Sequence, residues 1–172
     1  MKIKGIIFDF DGLILDTESV EVNIWETIFQ QYGLVFPLDR YLQYIGHTTD
    51  NQFVLEFMAE KGLSSEQIKA ADEIHQRLLN SPGIFHEPRE GVRDFIQSAK
   101  NHAFKLGIAS NSSHDWVYNH LRHLKLMHYF DTIGTRDEVS HSKPHPEIYH
   151  FVLKKLALQP EEVIAFEDSP NG

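Results

Sequence analysis

The chain has no cysteine, which removes disulfides and thiolate chemistry and fits a reducing compartment. Basic residues are scarce: 16 Lys and Arg stand against 25 Asp and Glu, for a formal net charge of -9. That balance argues against nucleic acid as a partner, because counterion release needs Lys and Arg clustered on one face. It leaves anionic small molecules open, since one metal ion and one lysine can reverse the sign locally. No apolar run approaches membrane-spanning length. The N-terminus passes from Met1-Lys2 straight into a strand-like run, without a signal-peptide pattern. The expectation is a soluble, cytoplasmic protein, with no nucleic-acid or membrane partner and nothing that demands more than a monomer. What is present, 172 residues with 41% hydrophobic and 24% charged, suffices for one ordinary core or a core with a small inserted domain.

Short apolar runs with strand character occupy Ile3–Phe8, Lys105–Ala109, Asp131–Gly134 and Val163–Phe166. Helical spacing separates the later ones. Val92, Phe95, Ile96 and Ala99 follow i, i+3, i+4, i+7; Val117, Leu121 and Leu124 do so in part; Ile148, Val152 and Leu156 follow Pro146, which suits a first helical turn. Strands alternating with helices predict an α/β fold with a doubly wound, Rossmann-like parallel sheet.

The stretch between Thr17 and Asn80 differs, having no convincing strand. Val20, Ile24 and Ile28 mark one helix, stopped by Gly33. Phe53, Val54, Phe57 and Met58 mark a second, and Ser64-Ser65-Glu66-Gln67 opens a third as a capping box, carried by Ile68, Ala71, Ile74 and Leu78. The predicted organisation is a core of residues 1–16 and 81–172 with an inserted all-helical cap domain over residues 17–80. Turn residues at Ser81-Pro82-Gly83 and Glu87-Pro88-Arg89-Glu90-Gly91 serve the return. Trp25, Phe29 and Tyr32 read as cap core. A parallel strand ending at Phe166 would ordinarily be covered by a following helix, so the core is expected to be incomplete at the C-terminus.

The chemistry is concentrated where the strands end. Gly5-Ile6-Ile7-Phe8-Asp9-Phe10-Asp11-Gly12 closes an apolar run with two carboxylates spaced two apart, which on an ideal strand point the same way. Buried paired carboxylates call for a neutralising divalent ion, and unequal environments would let one act as nucleophile and the other handle protons. Ligands of open α/β sheets bind at the carboxyl ends of strands. Those ends supply Asp9 and Asp11, then Ser110-Asn111, then Glu167-Asp168, with Lys143 between. Carboxylates, a small hydroxyl and a lysine form an inventory for phosphoryl transfer. Oxygen-only ligands favour Mg2+ over zinc.

Asp9-x-Asp11-Gly12 with Asp16-Thr17, Ser110 after an apolar strand, Lys143-Pro144-x-Pro146 and Glu167-Asp168 resemble, in order, the four motifs of the haloacid dehalogenase-like hydrolases. The Asp16-Thr17-Glu18 entry and the helical insert resemble the β-phosphoglucomutase-like branch. The resemblance covers essentially the whole chain. It implies that Asp9 attacks phosphorus and forms an aspartyl-phosphate, while Asp11 protonates the leaving oxygen and then activates water. It implies that Mg2+ is held by Asp9, the backbone carbonyl of Asp11, and Glu167 or Asp168. Ser110 and the amide of Asn111 would bind phosphoryl oxygens, with Lys143 bridging them to Asp9. Thr17 would sit at the hinge of the cap.

Where the mutase of this branch carries a histidine and an arginine in its cap, the matching positions here are Glu21 and Thr49, poor hosts for a second phosphate. The implied activity is therefore a Mg2+-dependent phosphatase acting on a small phosphorylated metabolite. The alternatives are a hexose-phosphate mutase and a non-catalytic binding module. Thr17, Glu18, Glu21, His47 and Thr49 are the candidate hinge and substrate residues, the last two in the polar loop Gly46-His47-Thr48-Thr49-Asp50. Asn111-Ser112-Ser113 reads as a helix N-cap beyond Ser110. Of the 11 histidines, His120 and His123 lie three apart on a helix, while His141 and His145 flank Lys143. Without an evident carboxylate or cysteine partner they read as surface histidines.

Overall fold

A computed structural model of the chain describes residues 2–43, 50–81, 84–85 and 87–169. In chain order the elements are β1 (Gly5–Phe8), α1 (Thr17–Gln31), α2 (Leu38–Tyr41), α3 (Asp50–Glu60), α4 (Ser65–Leu79), α5 (Val92–Asn101), β2 (Lys105–Ala109), α6 (His114–His123), β3 (Thr132–Gly134), α7 (Glu147–Leu156) and β4 (Val163–Phe166). The chain divides into two compact units, Met1–Asp16 with Phe85–Gly172, and Thr17–Ile84. Among the described residues no helix is long and apolar enough to cross a membrane.

The first unit is built on a parallel sheet in the order β3-β2-β1-β4. Gly5 pairs with Lys105 on one side and Val163 on the other, so β1 is central and fully buried. A parallel sheet needs both faces covered, which explains the continuous apolar runs. Helix α7 lays Ile148, Val152 and Leu156 over Ile7 and Ala109. Its approach depends on Gly107, where a Cβ would stand 2.5 Å from Val152 Cγ1. Phe8, Phe95, Phe130 and Phe166 form an aromatic cluster in which Phe8 lies 5.9 to 6.0 Å from each of the others, and Phe95 meets Phe166 edge-on at 5.5 Å. The edge strand β4 is less covered, leaving Ile164 44% and Phe166 37% exposed.

Two expected strands are shorter than their apolar runs. The first begins at Gly5 rather than Ile3, and the third at Thr132 rather than Asp131. Asp131 reaches β2 by donating its N–H to Leu106 O at 2.8 Å, but the Leu106 N–H goes to the Asp131 carboxylate, at 2.8 Å, which also accepts from Lys100 Nζ at 2.8 Å. Pro146 sits just before α7 as its N-cap residue rather than within the first turn.

The second unit packs α1 to α4 around Ile24, Trp25, Ile28, Phe29, Tyr41, Val54, Phe57, Met58 and Ala71. Ser64 caps α4 with the reciprocal bonds of a capping box, its Oγ accepting from Gln67 N–H while Gln67 Oε1 accepts from Ser64 N–H. Gly33, at φ +68°, ends the turn after α1. The short α2 behind Pro37 was not expected from the sequence.

Within the first unit, the chain leaving toward Asp16 and the chain returning after Phe85 are clasped by Arg89. Its N–H donates to Ile14 O at 2.9 Å, its guanidinium donates to Gly12 O at 2.7 Å, and it stands 3.6 Å from the Asp16 carboxylate.

Candidate functional site

Strand β1 ends at Phe8, and Asp9 continues its line by donating its N–H to Phe166 O at 2.9 Å. Asp9 and Asp11 thus lie beyond the strand proper, and the turn, rather than strand alternation, sets their directions. Ile14 and Leu15 both return their N–H groups to Phe10 O. Gly12 adopts φ +72°, and a Cβ there would stand 1.8 Å from Asp168 Oδ2. Only glycine lets the loop after β1 and the loop after β4 approach so closely.

Three carboxylates gather there. Oxygens of Asp9, Glu167 and Asp168 all lie within 4.8 Å of one another. Asp9 is 8% exposed and Asp168 stands at the open side. The cation at this cluster is Lys143, whose Nζ donates to Asp9 Oδ1 at 2.7 Å and also to Glu167. Tyr149 donates its hydroxyl to the same Glu167 oxygen, and Lys143 Nζ sits 5.2 Å from the centre of the Tyr149 ring. Burial pushes the Asp9 carboxyl up to about 7, against the opposing pull of Lys143. One ammonium among three carboxylates leaves an excess of negative charge, the arrangement that accepts a divalent, oxygen-preferring ion.

Lys143 is positioned by Asn111. Asn111 Oδ1 accepts from Lys143 N–H at 2.8 Å, and Asn111 Nδ2 donates back to Lys143 O at 3.4 Å. The side chain of Asn111 is thereby spent on the Lys143 loop. Ser110 follows β2 and is fully buried; its N–H donates to Gly134 O, and its Oγ accepts from Ser112 N–H at 3.0 Å.

Asp11 has a separate set of partners. Its Oδ2 accepts from Ser112 Oγ at 2.6 Å and from Ser110 Oγ at 3.4 Å, and its Oδ1 accepts from Trp116 Nε1 at 2.8 Å. Burial raises the Asp11 carboxyl, while the bonds from Ser112 and Trp116 hold the rise back. The two aspartates of the opening motif therefore occupy different environments, Asp9 with Lys143 and the other acids, Asp11 with neutral donors. Trp116 is steadied by Phe85, edge-on at 6.0 Å, and by the His120 ring at 4.1 Å.

The structure thus brings Asp9, Asp11, Ser110, Asn111, Lys143, Glu167 and Asp168 together in one unit. Thr17 and Glu18 open α1 in the helical unit, and Glu21 on the same helix accepts from Tyr41 OH at 3.0 Å. His47 and Thr49 lie outside the described residues. Local sequence spacing does not point to three residues of the cluster, Ser112, Trp116 and Tyr149. The run Asn111-Ser112-Ser113 reads as a helix cap, but Ser113 alone fills that role, accepting from Trp116 N–H at 3.4 Å, which leaves Ser112 to Asp11. Trp116 and Tyr149 are joined to the cluster only by tertiary contact; a tryptophan in the first turn after a strand-end serine was the one available signal.

Residues 6–172 match the family model described as haloacid dehalogenase-like hydrolase. YhcW of Bacillus subtilis is 38% identical over 173 residues, covering 99% of this chain and 77% of that protein. A phosphorylated carbohydrates phosphatase of Thermotoga maritima is 30% identical over 172 residues, covering 99% and 78%. Among solved structures, β-phosphoglucomutase of Clostridium difficile superposes with a TM-score of 0.70 at 27% identity, covering 99% of this chain and 78% of that one.

Proposed function

The chain belongs to the haloacid dehalogenase-like hydrolases, and from that premise we propose that it is a Mg2+-dependent phosphatase hydrolysing a small phosphomonoester through an aspartyl-phosphate. The observation that carries this reading is the division of labour between two acids two residues apart. Asp9 lies against Lys143 at 2.7 Å, and Asp11 is held apart by Ser112 and Trp116.

In the first step an Asp9 oxygen attacks phosphorus in line, forming the new O–P bond as the bond to the leaving alkoxide oxygen breaks. Asp11 gives that oxygen its proton, a role suited to a carboxyl raised by burial. In the second step Asp11 takes a proton from water as the water oxygen attacks phosphorus, releasing inorganic phosphate and the Asp9 carboxylate. Lys143, the Ser110 hydroxyl and the Asn111 N–H are the groups that would spread the charge of the phosphoryl oxygens. Asp9, Glu167, Asp168 and the Asp11 carbonyl are the groups that would hold Mg2+. When bound, the ion supplies positive charge to the phosphoryl oxygens and to Asp9.

A phosphorylated sugar is the substrate class favoured by the Thermotoga relative's name. The helical unit would act as the cap that excludes water and selects the leaving group, with Thr17, Glu18, Glu21, His47 and Thr49 contributing. The test is release of inorganic phosphate from a panel of small phosphomonoesters with and without Mg2+, beside Asp9→Asn. Metal-dependent release that vanishes in the variant is expected. A sugar-phosphate isomer as the product, without free phosphate, would favour the mutase instead. Metal binding with no turnover at all would mark a binding module.

A further inference from the structure

A second group of potential metal ligands lies on the surface of the same unit, distinct in chemistry from the carboxylate cluster. His141 and His145 flank Lys143, and the structure supplies the carboxylate that the sequence did not show: Glu147, the first residue of α7. Glu147 Oε2 lies 2.9 Å from His141 Nδ1 and 3.8 Å from His145 Nδ1. The two imidazole rings face each other at 4.7 Å between centres, inclined by 38°. Ligand atoms on a tetrahedral zinc, each about 2.0–2.1 Å from the metal, stand about 3.3 Å apart. The two observed separations straddle that value.

The carboxylate is also held in place. Glu147 Oε1 accepts from Ser140 N–H at 2.9 Å and Oε2 from His141 N–H at 3.1 Å, both of which orient it toward the rings. The backbone closes the loop beneath, with His145 N–H donating to Ser142 O at 3.0 Å. These outer bonds are of the kind that fix ligand direction in metal sites. All three side chains keep solvent access, so an ion has an entry path and room for a water or further ligand.

We propose that His141, His145 and Glu147 form a second metal site, selective for a divalent ion of the zinc class and separate from the Mg2+ cluster. The donor set decides the class: two imidazole nitrogens with one carboxylate suit zinc, nickel or copper, whereas Asp9, Glu167 and Asp168 offer oxygen alone. Filling the site replaces the His141 to Glu147 hydrogen bond and the 3.3 Å bond from Glu147 N–H to His145 Nδ1. It ties together both flanks of the turn that carries Lys143.

The test is calorimetric titration of the metal-free full chain with Zn2+ in saturating Mg2+, which keeps the carboxylate cluster filled. Because it reads binding, the outcome does not depend on whether phosphate is released. One equivalent should bind in the wild type and unchanged in Asp9→Asn. The double variant His141→Ala, His145→Ala should weaken that binding at least roughly 100-fold, since even outer partners of metal ligands cost about 10–100-fold. Glu147→Gln, which keeps the side chain's shape, should weaken it too. With Co2+ in place of zinc, visible absorption bands of a low-coordinate site should appear in the wild type and vanish in the double variant. Zinc affinity that survives the double variant, or that disappears in Asp9→Asn, would overturn the proposal, as would the absence of binding in the wild type.

Discussion

Trp116 holds Asp11 through a single N–H, so its contribution can be isolated. Trp116→Phe removes that donor while leaving a ring to pack against Phe85 and His120. A hydrogen bond to a charged group is worth about 1.5–3 kcal/mol, and we expect turnover to fall by at least about tenfold. The bond lowers the Asp11 pKa, so its loss should move the limb of the pH–rate profile that reports Asp11 to higher pH. An unchanged profile would show that Trp116 only packs. Gly12 makes a complementary case. Gly12→Ala places a methyl group 1.8 Å from Asp168 Oδ2 in a backbone conformation with φ +72°. Displacing Asp168 should raise the Mg2+ concentration for half-maximal activity by roughly tenfold. The left-handed backbone adds about 1–2 kcal/mol of destabilisation, measurable by urea denaturation.

Helices α1 and α4 meet through Trp25 and His75, whose rings stack at 4.3 Å. His75 is fully buried, and neither of its ring nitrogens has a hydrogen-bond partner among the described residues. Burial pushes its pKa down to about 4, with Asp72 pulling weakly the other way. The unfolded chain therefore takes up a proton near the ordinary value of about 6.5, and the folded chain does not until about pH 4. The stability of this unit should be complete above about pH 6.5 and fall as pH drops toward 4, by roughly 3 kcal/mol in all. Urea denaturation at pH 7, 5.5 and 4.5 reads this directly, and His75→Phe should flatten the dependence. Periodicity reveals α1, α3, α4, α5 and α7, and α6 in part, because each repeats its apolar face over about two turns. It could not reveal α2, since four residues behind Pro37 have no room for a period. Strand ends were blurred where a side chain, as at Asp131, takes over a ladder partner. The strand-end acids, Ser110 and Lys143 were visible because each belongs to a local pattern. Ser112, Trp116 and Tyr149 were not, because the groups they serve lie 101, 105 and 18 residues away, and local spacing carries no trace of such pairings.

A chain with a net charge of -9 that concentrates three carboxylates around one lysine should be sensitive to cations as a whole. An ion that binds the folded chain at 100 times its Kd adds about 2.7 kcal/mol of stability. Mg2+ should therefore raise the melting temperature by several degrees, and Asp168→Asn should abolish most of that rise. Melting that ignores Mg2+ would count against the carboxylate cluster as its site. The clasp made by Arg89 reaches beyond this protein's own energetics. By fixing Gly12, Ile14 and Asp16 against the returning chain, the core itself sets the gap that any insertion between residues 16 and 85 must bridge. Such joints are natural crossover points for recombination. A lineage could trade one helical cassette for another, and with it one preference for another, while inheriting the reaction centre intact.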